Sequence, residues 1–276
     1  MAIDRTHALG FGARVPATGG ATFALLNLLG LAVYLHPFVA ANTGRTDDAF
    51  TRATDGPVVM AGVAALCLVM VIAELTEGTM NSKTLAILGV LAALAAVLRT
   101  VTLPAGANLY FFLVILGGYT FGARTGFLLG ALSFALSAIV TGGVGPWLPF
   151  QVFASAWMGL TAGLLRTPLR TAGLRGRFEV AVVALFGAAW GYLYGAITNL
   201  WFWPFWVGGP DVSYEPGLGL IETARRYWNY YLLTSLGWDT FRALANLVAI
   251  AAVGVPMIRA LDRFRERFNW TFERAR

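Results

Sequence analysis

Long apolar runs separated by short polar clusters organise the chain from Thr22 to Ile258. A helix rising 1.5 Å per residue needs about 20 apolar residues to cross roughly 30 Å of hydrocarbon. Eight runs near that size are present, at 22–41, 57–75, 84–100, 107–122, 125–141, 147–165, 180–203 and 232–258. They predict an all-α integral membrane protein of about eight transmembrane helices. The fourth run spans only about 24 Å as a helix. It must therefore tilt, thin the bilayer or be sheltered by neighbours. The first run ends in Ala40 and Ala41, which resemble a signal-peptidase site. Its apolar stretch exceeds the roughly 7–15 residues of a signal peptide, so it reads as a span.

Composition supports a lipid environment. Apolar residues make up 58% of 276 before the 32 glycines are counted, whereas soluble domains reach about 45–50% with glycine included. Charged residues, at 12%, are too few to coat a water-facing surface. The net charge of +6 comes from 19 arginines and the single Lys83. Anionic lipid headgroups and cytoplasmic protein are its expected partners rather than nucleic acid.

The positive residues divide unevenly between the two sides. Fourteen fall on one side: Arg5, Arg14, Lys83, Arg124, Arg166, Arg170, Arg175, Arg177 and six between Arg259 and Arg276. Outside the spans, only Arg45, Arg52, Arg225 and Arg226 fall on the other. Positive loops stay cytoplasmic, so both termini are expected in the cytoplasm of a bacterial inner-membrane protein, as an even number of crossings requires.

Orienting the spans gathers polar and aromatic residues at the outer ends. Arg99 closes the third span, Asn108 opens the fourth, and Trp147 and Gln151 open the sixth. Asn199 and Trp203 close the seventh; Trp238, Asp239 and Arg242 lie at the start of the eighth. Ionisable groups at membrane depth usually face a bundle interior or wet cavity. A guanidinium, amides and indoles suit a planar, partly anionic ligand in such a cavity. Each also has a plainer reading: Asp239 and Arg242, three apart, satisfy each other, Arg99 snorkels, the tryptophans form an interfacial belt, and Asn199 or Asn246 joins helices.

Small residues recur at four-residue spacing: Gly187, Gly191 and Gly195; Gly159 and Gly163; Gly126 and Gly130; Ala92 and Ala96. Such faces pack helices within one bundle or dock a second membrane subunit. Residues 259–276 carry Leu261, Phe264, Phe268 and Phe272 on one stripe among arginines. That pattern fits an amphipathic cytoplasmic tail or an extension of the last span.

Several chemistries are excluded. The only lysine lies in Glu77-Gly78-Thr79-Met80-Asn81-Ser82-Lys83-Thr84, which lacks the glycines of a phosphate-binding loop. The chain thus has no ATPase motif of its own. H-E-x-x-H and G-x-S-x-G are absent as well. A lone Cys67 and two histidines, His7 and His36, provide no metal or cofactor site.

The stretch Leu98-Arg99-Thr100, Pro104, Gly117-Gly118, Phe121-Gly122, Gly126 and Gly130 is followed by Thr141-Gly142-Gly143-Val144-Gly145-Pro146-Trp147 and Gln151. In that order these residues resemble the substrate-binding S component of energy-coupling factor (ECF) transporters. The resemblance covers residues 84–258 and implies a six-helix subunit that captures a vitamin from outside. It further implies docking onto a transmembrane coupling (T) protein carrying two ATPases. An A-x-x-x-A face on the first of the six helices is implied to meet that protein. Ala92 and Ala96 match it, and Gly89 and Ala93 form a competing pair. The division is then 1–83, a cytoplasmic segment with two extra spans, 84–258, the binding bundle, and 259–276, the basic tail. Together with the segment 199–205, the whole pattern looks most like members associated with cobalamin or related corrinoids. Riboflavin or another small vitamin is the alternative, and a membrane scaffold or ATP-independent secondary carrier is a reading from a different class.

Overall fold

The computed structural model describes residues 17–42, 52–76 and 80–268. They form nine α-helices in chain order: α1 (Ala17–Asn42), α2 (Arg52–Thr76), α3 (Ser82–Thr100), α4 (Tyr110–Phe121), α5 (Ala123–Thr141), α6 (Leu148–Thr171), α7 (Arg177–Asn199), α8 (Leu220–Thr234) and α9 (Leu236–Phe268). Six are long and apolar enough to cross a membrane: α1, α3, α5, α6, α7 and α9. The apolar helices Met60–Thr76 and Tyr110–Phe121 are shorter. The protein is an all-α, multi-pass membrane bundle. Lipid offers the backbone no partners, and helices satisfy their own N–H and C=O groups.

Helix α4 shows how the short apolar run is accommodated. Every residue from Tyr110 to Thr120 is buried, and the helix packs against α3, α5, α6, α7 and α9. It is the axis of the bundle, sheltered by its neighbours. It passes directly into α5 through Gly122, whose φ of 98° is open to glycine at little cost.

The small-residue ladders hold this bundle together. A Cβ placed on Gly159 of α6 would lie 2.0 Å from the Gly126 carbonyl oxygen of α5, and one on Gly130 would lie 2.1 Å from that of Ser155. Between α7 and α9, Gly191 lies against the Ala243 backbone, Gly187 against Ile250 and Gly195 against Asp239. Without a hydrophobic force between helices in lipid, such close backbone approach allows dispersion to act. The outward surface carries Leu28, Leu35, Leu94, Val97, Ile139 and Val248, all exposed.

Helices α1 and α2 lie against α6. Tyr34 donates to the Phe150 carbonyl at 2.6 Å, and Trp157 Nε1 donates to Asn27 Oδ1 at 2.9 Å. Glu74 of α2 is paired with Arg124 of α5.

Two elements differ from the sequence expectation. The connection expected after residue 203 contains α8, in which Glu222 pairs with Arg225 and Arg226 at i+3 and i+4. The chain breaks at Ser235, so the last span begins at Leu236 rather than 232. The basic stripe begins as an unbroken continuation of α9 to Phe268, since the apolar and basic sectors both keep helical spacing through Pro256. Residues 269–276 and arginines Arg5, Arg14 and Arg45 of the orientation count lie outside the described residues.

Candidate ligand site among the aromatic ends of the helices

The end of α3, the start of α4, the end of α5 and the start of α9 meet the later turns of α7 at one end of the bundle. Arg99 Nη1 donates to Ser137 Oγ at 2.7 Å, and its guanidinium stands 4.1 Å from the centre of the Phe134 ring. Phe134 lies 6.3 Å from Tyr194, ring to ring. Arg242 sits 5.2 Å from the Tyr194 ring and 5.6 Å from that of Phe111. Two cations thus flank a stack of aromatic rings.

These cations are not equally neutralised. Arg242 pairs with Asp239, which is 2% exposed and also accepts from Tyr231 at 3.0 Å. Arg99 has no carboxylate partner among the described residues. The centre therefore carries two guanidiniums against one carboxylate. Tyr110 hydrogen-bonds the Gly130 carbonyl and Ser133 Oγ, each at 3.0 Å. The buried Tyr194 and Ser155 hydroxyls lie close together, but neither makes a well-formed hydrogen bond. A buried hydroxyl left unpaired costs about 1–3 kcal/mol, so this pair is suited to accept a ligand or water.

Other expected residues do different work. Asn108 Oδ1 accepts from the Tyr110 N–H at 3.1 Å, fixing the start of α4. Asn199 donates to Ser235 Oγ across the break between α8 and α9. Trp203 is 1% exposed, donates from Nε1 to the Val212 carbonyl at 2.8 Å, and is ringed by Phe38, Tyr214 and Tyr227. It is the hub of the connection between α7 and α8. Trp147 stays partly exposed beside Trp201, 6.3 Å away. Gln151 is half-buried in the first turn of α6, and its amide makes no hydrogen bond among the described residues. Trp238 is 61% exposed and stands apart from the centre.

The structure thus brings together Arg99, Asp239 and Arg242 of the expected set. It adds Phe111, Phe134, Ser137, Ser155 and Tyr194, which sequence reading had no means to single out within long apolar runs. On α3, Ala92 and Ala96 are buried inside the bundle, whereas Gly89 and Ala93 lie on the exposed face.

The opposite end is a closed ionic network. Glu179, 3% exposed, accepts from Tyr119 and pairs with Arg170. Arg170 and Arg166 both pair with Asp262, at 3.3 and 2.8 Å. Arg265 donates to the Thr120 carbonyl at 3.0 Å. These contacts tie the ends of α4, α6, α7 and α9 together.

Compared with models of known protein families, residues 83–254 match "ECF transporter, substrate-specific component". No curated protein and no solved structure gave a match. Proteins of this family are non-catalytic transport subunits without ATPase activity. Helices α1 and α2 precede the matched range. The match covers well over half of this helical membrane chain; the chain belongs to the substrate-specific components of ECF transporters.

Proposed function

We propose that this protein captures a small, flat, anionic vitamin between Arg99 and Arg242 and presents it to a coupling protein and two ATPases for import. The observation that carries the ligand class is Arg99: a guanidinium held over Phe134 inside the bundle with no carboxylate partner among the described residues. An acidic group on the ligand would supply the missing charge, and the Phe111, Phe134 and Tyr194 rings would receive its planar part. The aromatic end faces outward in this reading, and the arginine-rich end, with both termini, faces the cytoplasm of a bacterial inner membrane. Helices α2 and α4 then cross with the six longer ones, making eight spans.

Cobalamin was the expectation drawn from the segment 199–205. Its polar side chains are engaged in holding the connection between α7 and α8, Asn199 through Ser235 and Trp203 through Val212. That occupation favours a ligand smaller than a corrinoid. For coupling, Gly89 and Ala93 are the available small pair on α3, since Ala92 and Ala96 are covered by the bundle itself. ECF substrate-specific components work with a T protein and ATPase subunits, and uptake by this chain is expected to require them.

Mass spectrometry of the ligand retained by the purified protein tests the reading. A planar acid of vitamin size is expected, and a corrinoid or an uncharged ligand would overturn it. Concentrative uptake by the chain alone, in a strain lacking ECF subunits, would make it a secondary carrier instead.

A further inference from the structure

At the arginine-rich end, a cavity of about 550 Å³ opens between α7 and α9. Its walls are Val180, Ala181, Ala251, Ala252 and Val255, with Arg177 and Arg259 at its mouth. Ala181, Ala251 and Ala252 are exposed, so the slot opens toward the hydrocarbon surrounding the bundle. Its volume falls in the range of about 300–1,000 Å³ typical of ligand pockets.

Two neighbouring cavities share Arg259. One, of about 220 Å³, adds Arg175 and reaches inward to Glu179 and Asp262, and the other adds Arg263 and Glu266. The two inner carboxylates are already held by Arg170 and Arg166. Arg177, Arg259 and Arg263 have no carboxylate partner among the described residues, and Arg175 donates only to the Arg170 and Leu174 carbonyls. An apolar slot thus leads into a cup in which arginines outnumber carboxylates.

We infer that this slot and cup bind one anionic phospholipid, with an acyl chain between α7 and α9 and the phosphate at Arg177 and Arg259. Small side chains on the wall leave room for the chain, and arginines at the membrane surface attract anionic headgroups. The same phosphate chemistry could come from a free phosphate ester, but a soluble anion would leave the apolar slot unfilled. This inference goes beyond the proposed substrate role and stands whichever ligand the aromatic end takes.

Native mass spectrometry of the full chain with phosphatidylglycerol, phosphatidylcholine or glycerol phosphate tests it. Phosphatidylglycerol is expected to be retained at least about tenfold better than phosphatidylcholine. The double variant Arg177→Gln/Arg259→Gln should bring the two lipids level, while Arg177→Lys/Arg259→Lys keeps most of the preference. Ala252→Trp fills the slot at an exposed position and should also release the lipid, although every arginine remains. Both arginines are exposed, so unchanged thermal unfolding is expected of each variant. Equal retention of the two lipids overturns the inference, as does full retention by the glutamine variant. Glycerol phosphate binding as tightly as the lipid would show a free-phosphate site, and a glutamine variant that loses T-protein co-purification while retaining phosphatidylglycerol in full would show a protein-docking face. Either result removes the lipid assignment.

Discussion

The two ends of this bundle use the same side chains for opposite purposes. At the arginine-rich end Arg166 and Arg170 meet Asp262 and Glu179, and Tyr119 completes the coordination of Glu179. At the aromatic end Asp239 pairs with Arg242 alone, and among the described residues Arg99 has no carboxylate partner and the buried Tyr194 and Ser155 hydroxyls make no well-formed hydrogen bond. Charge that is matched within the protein holds helices together, because removing one partner leaves an unbalanced charge in a poorly solvated place. Charge left unmatched is costly unless something else balances it. The contrast therefore separates arginines matched within the protein from those proposed to meet a ligand more sharply than burial or position does.

If the contrast is sound, the ends respond differently to mutation. The largest stability effect is expected from Glu179→Ala, which leaves Arg170 with Asp262 alone and Tyr119 without its acceptor: about 3 kcal/mol lost, read as a lower unfolding midpoint in detergent with ligand affinity unchanged. A variant as stable as the parent would mean that the arginine-rich network is not what ties the helices. Arg99→Ala should do the reverse. Losing a charged hydrogen bond to the ligand costs about 1.5–3 kcal/mol, or roughly ten- to a hundredfold in affinity by isothermal titration. If its unfolding midpoint falls while its affinity stays the same, Arg99 is a helix-joining residue and the comparison fails.

Asp239→Asn probes the middle ground. It removes the one carboxylate of the aromatic centre, so an anionic ligand should bind a few-fold more tightly while stability falls by less than in Glu179→Ala. Weaker binding would mean that Asp239 itself contacts the ligand.

The smallest effect belongs to α8. Hydrogen bonds from Arg225 and Arg226 lower the exposed Glu222 carboxyl from 4.5 to about 2. A depressed folded-state pKa contributes stability above the unfolded value, and this is lost as pH falls from about 4.5 toward 2. Amide exchange in α8 should accelerate across that window, and Glu222→Gln should abolish the pH dependence. The rest of the bundle should be indifferent to this change.

Much of the fold was legible because lipid imposes a simple rule. The apolar runs predicted α1 to α7 and α9 to within a few residues at most ends. Helix α8 was not seen because it is short, amphipathic and follows a proline- and glycine-rich stretch, where hydropathy registers only a polar connection. Of the proposed site, the charged members Arg99, Asp239 and Arg242 were visible in the sequence. Phe134, Ser155 and Tyr194 could not be recognised, since an aromatic or serine within an apolar helix carries no sign of which neighbour it faces. Asn199 and Trp203 show the converse, polar groups at the expected end that are engaged in the α7 to α8 connection.

The sequence by itself determined an all-helical membrane bundle, the order of its long helices and the asymmetry of its positive charge. Each follows from local chemistry: backbone groups need partners in lipid, and arginines gather where apolar runs end. Only the tertiary structure decided which small residues meet inside, as Gly126 and Gly159 do, and which remain outside, as Gly89 and Ala93 do. It alone decided that, among the described residues, Arg166 has a carboxylate partner and Arg99 has none. Spacing along one helix defines a face, but the neighbour that covers that face comes from a distant part of the chain.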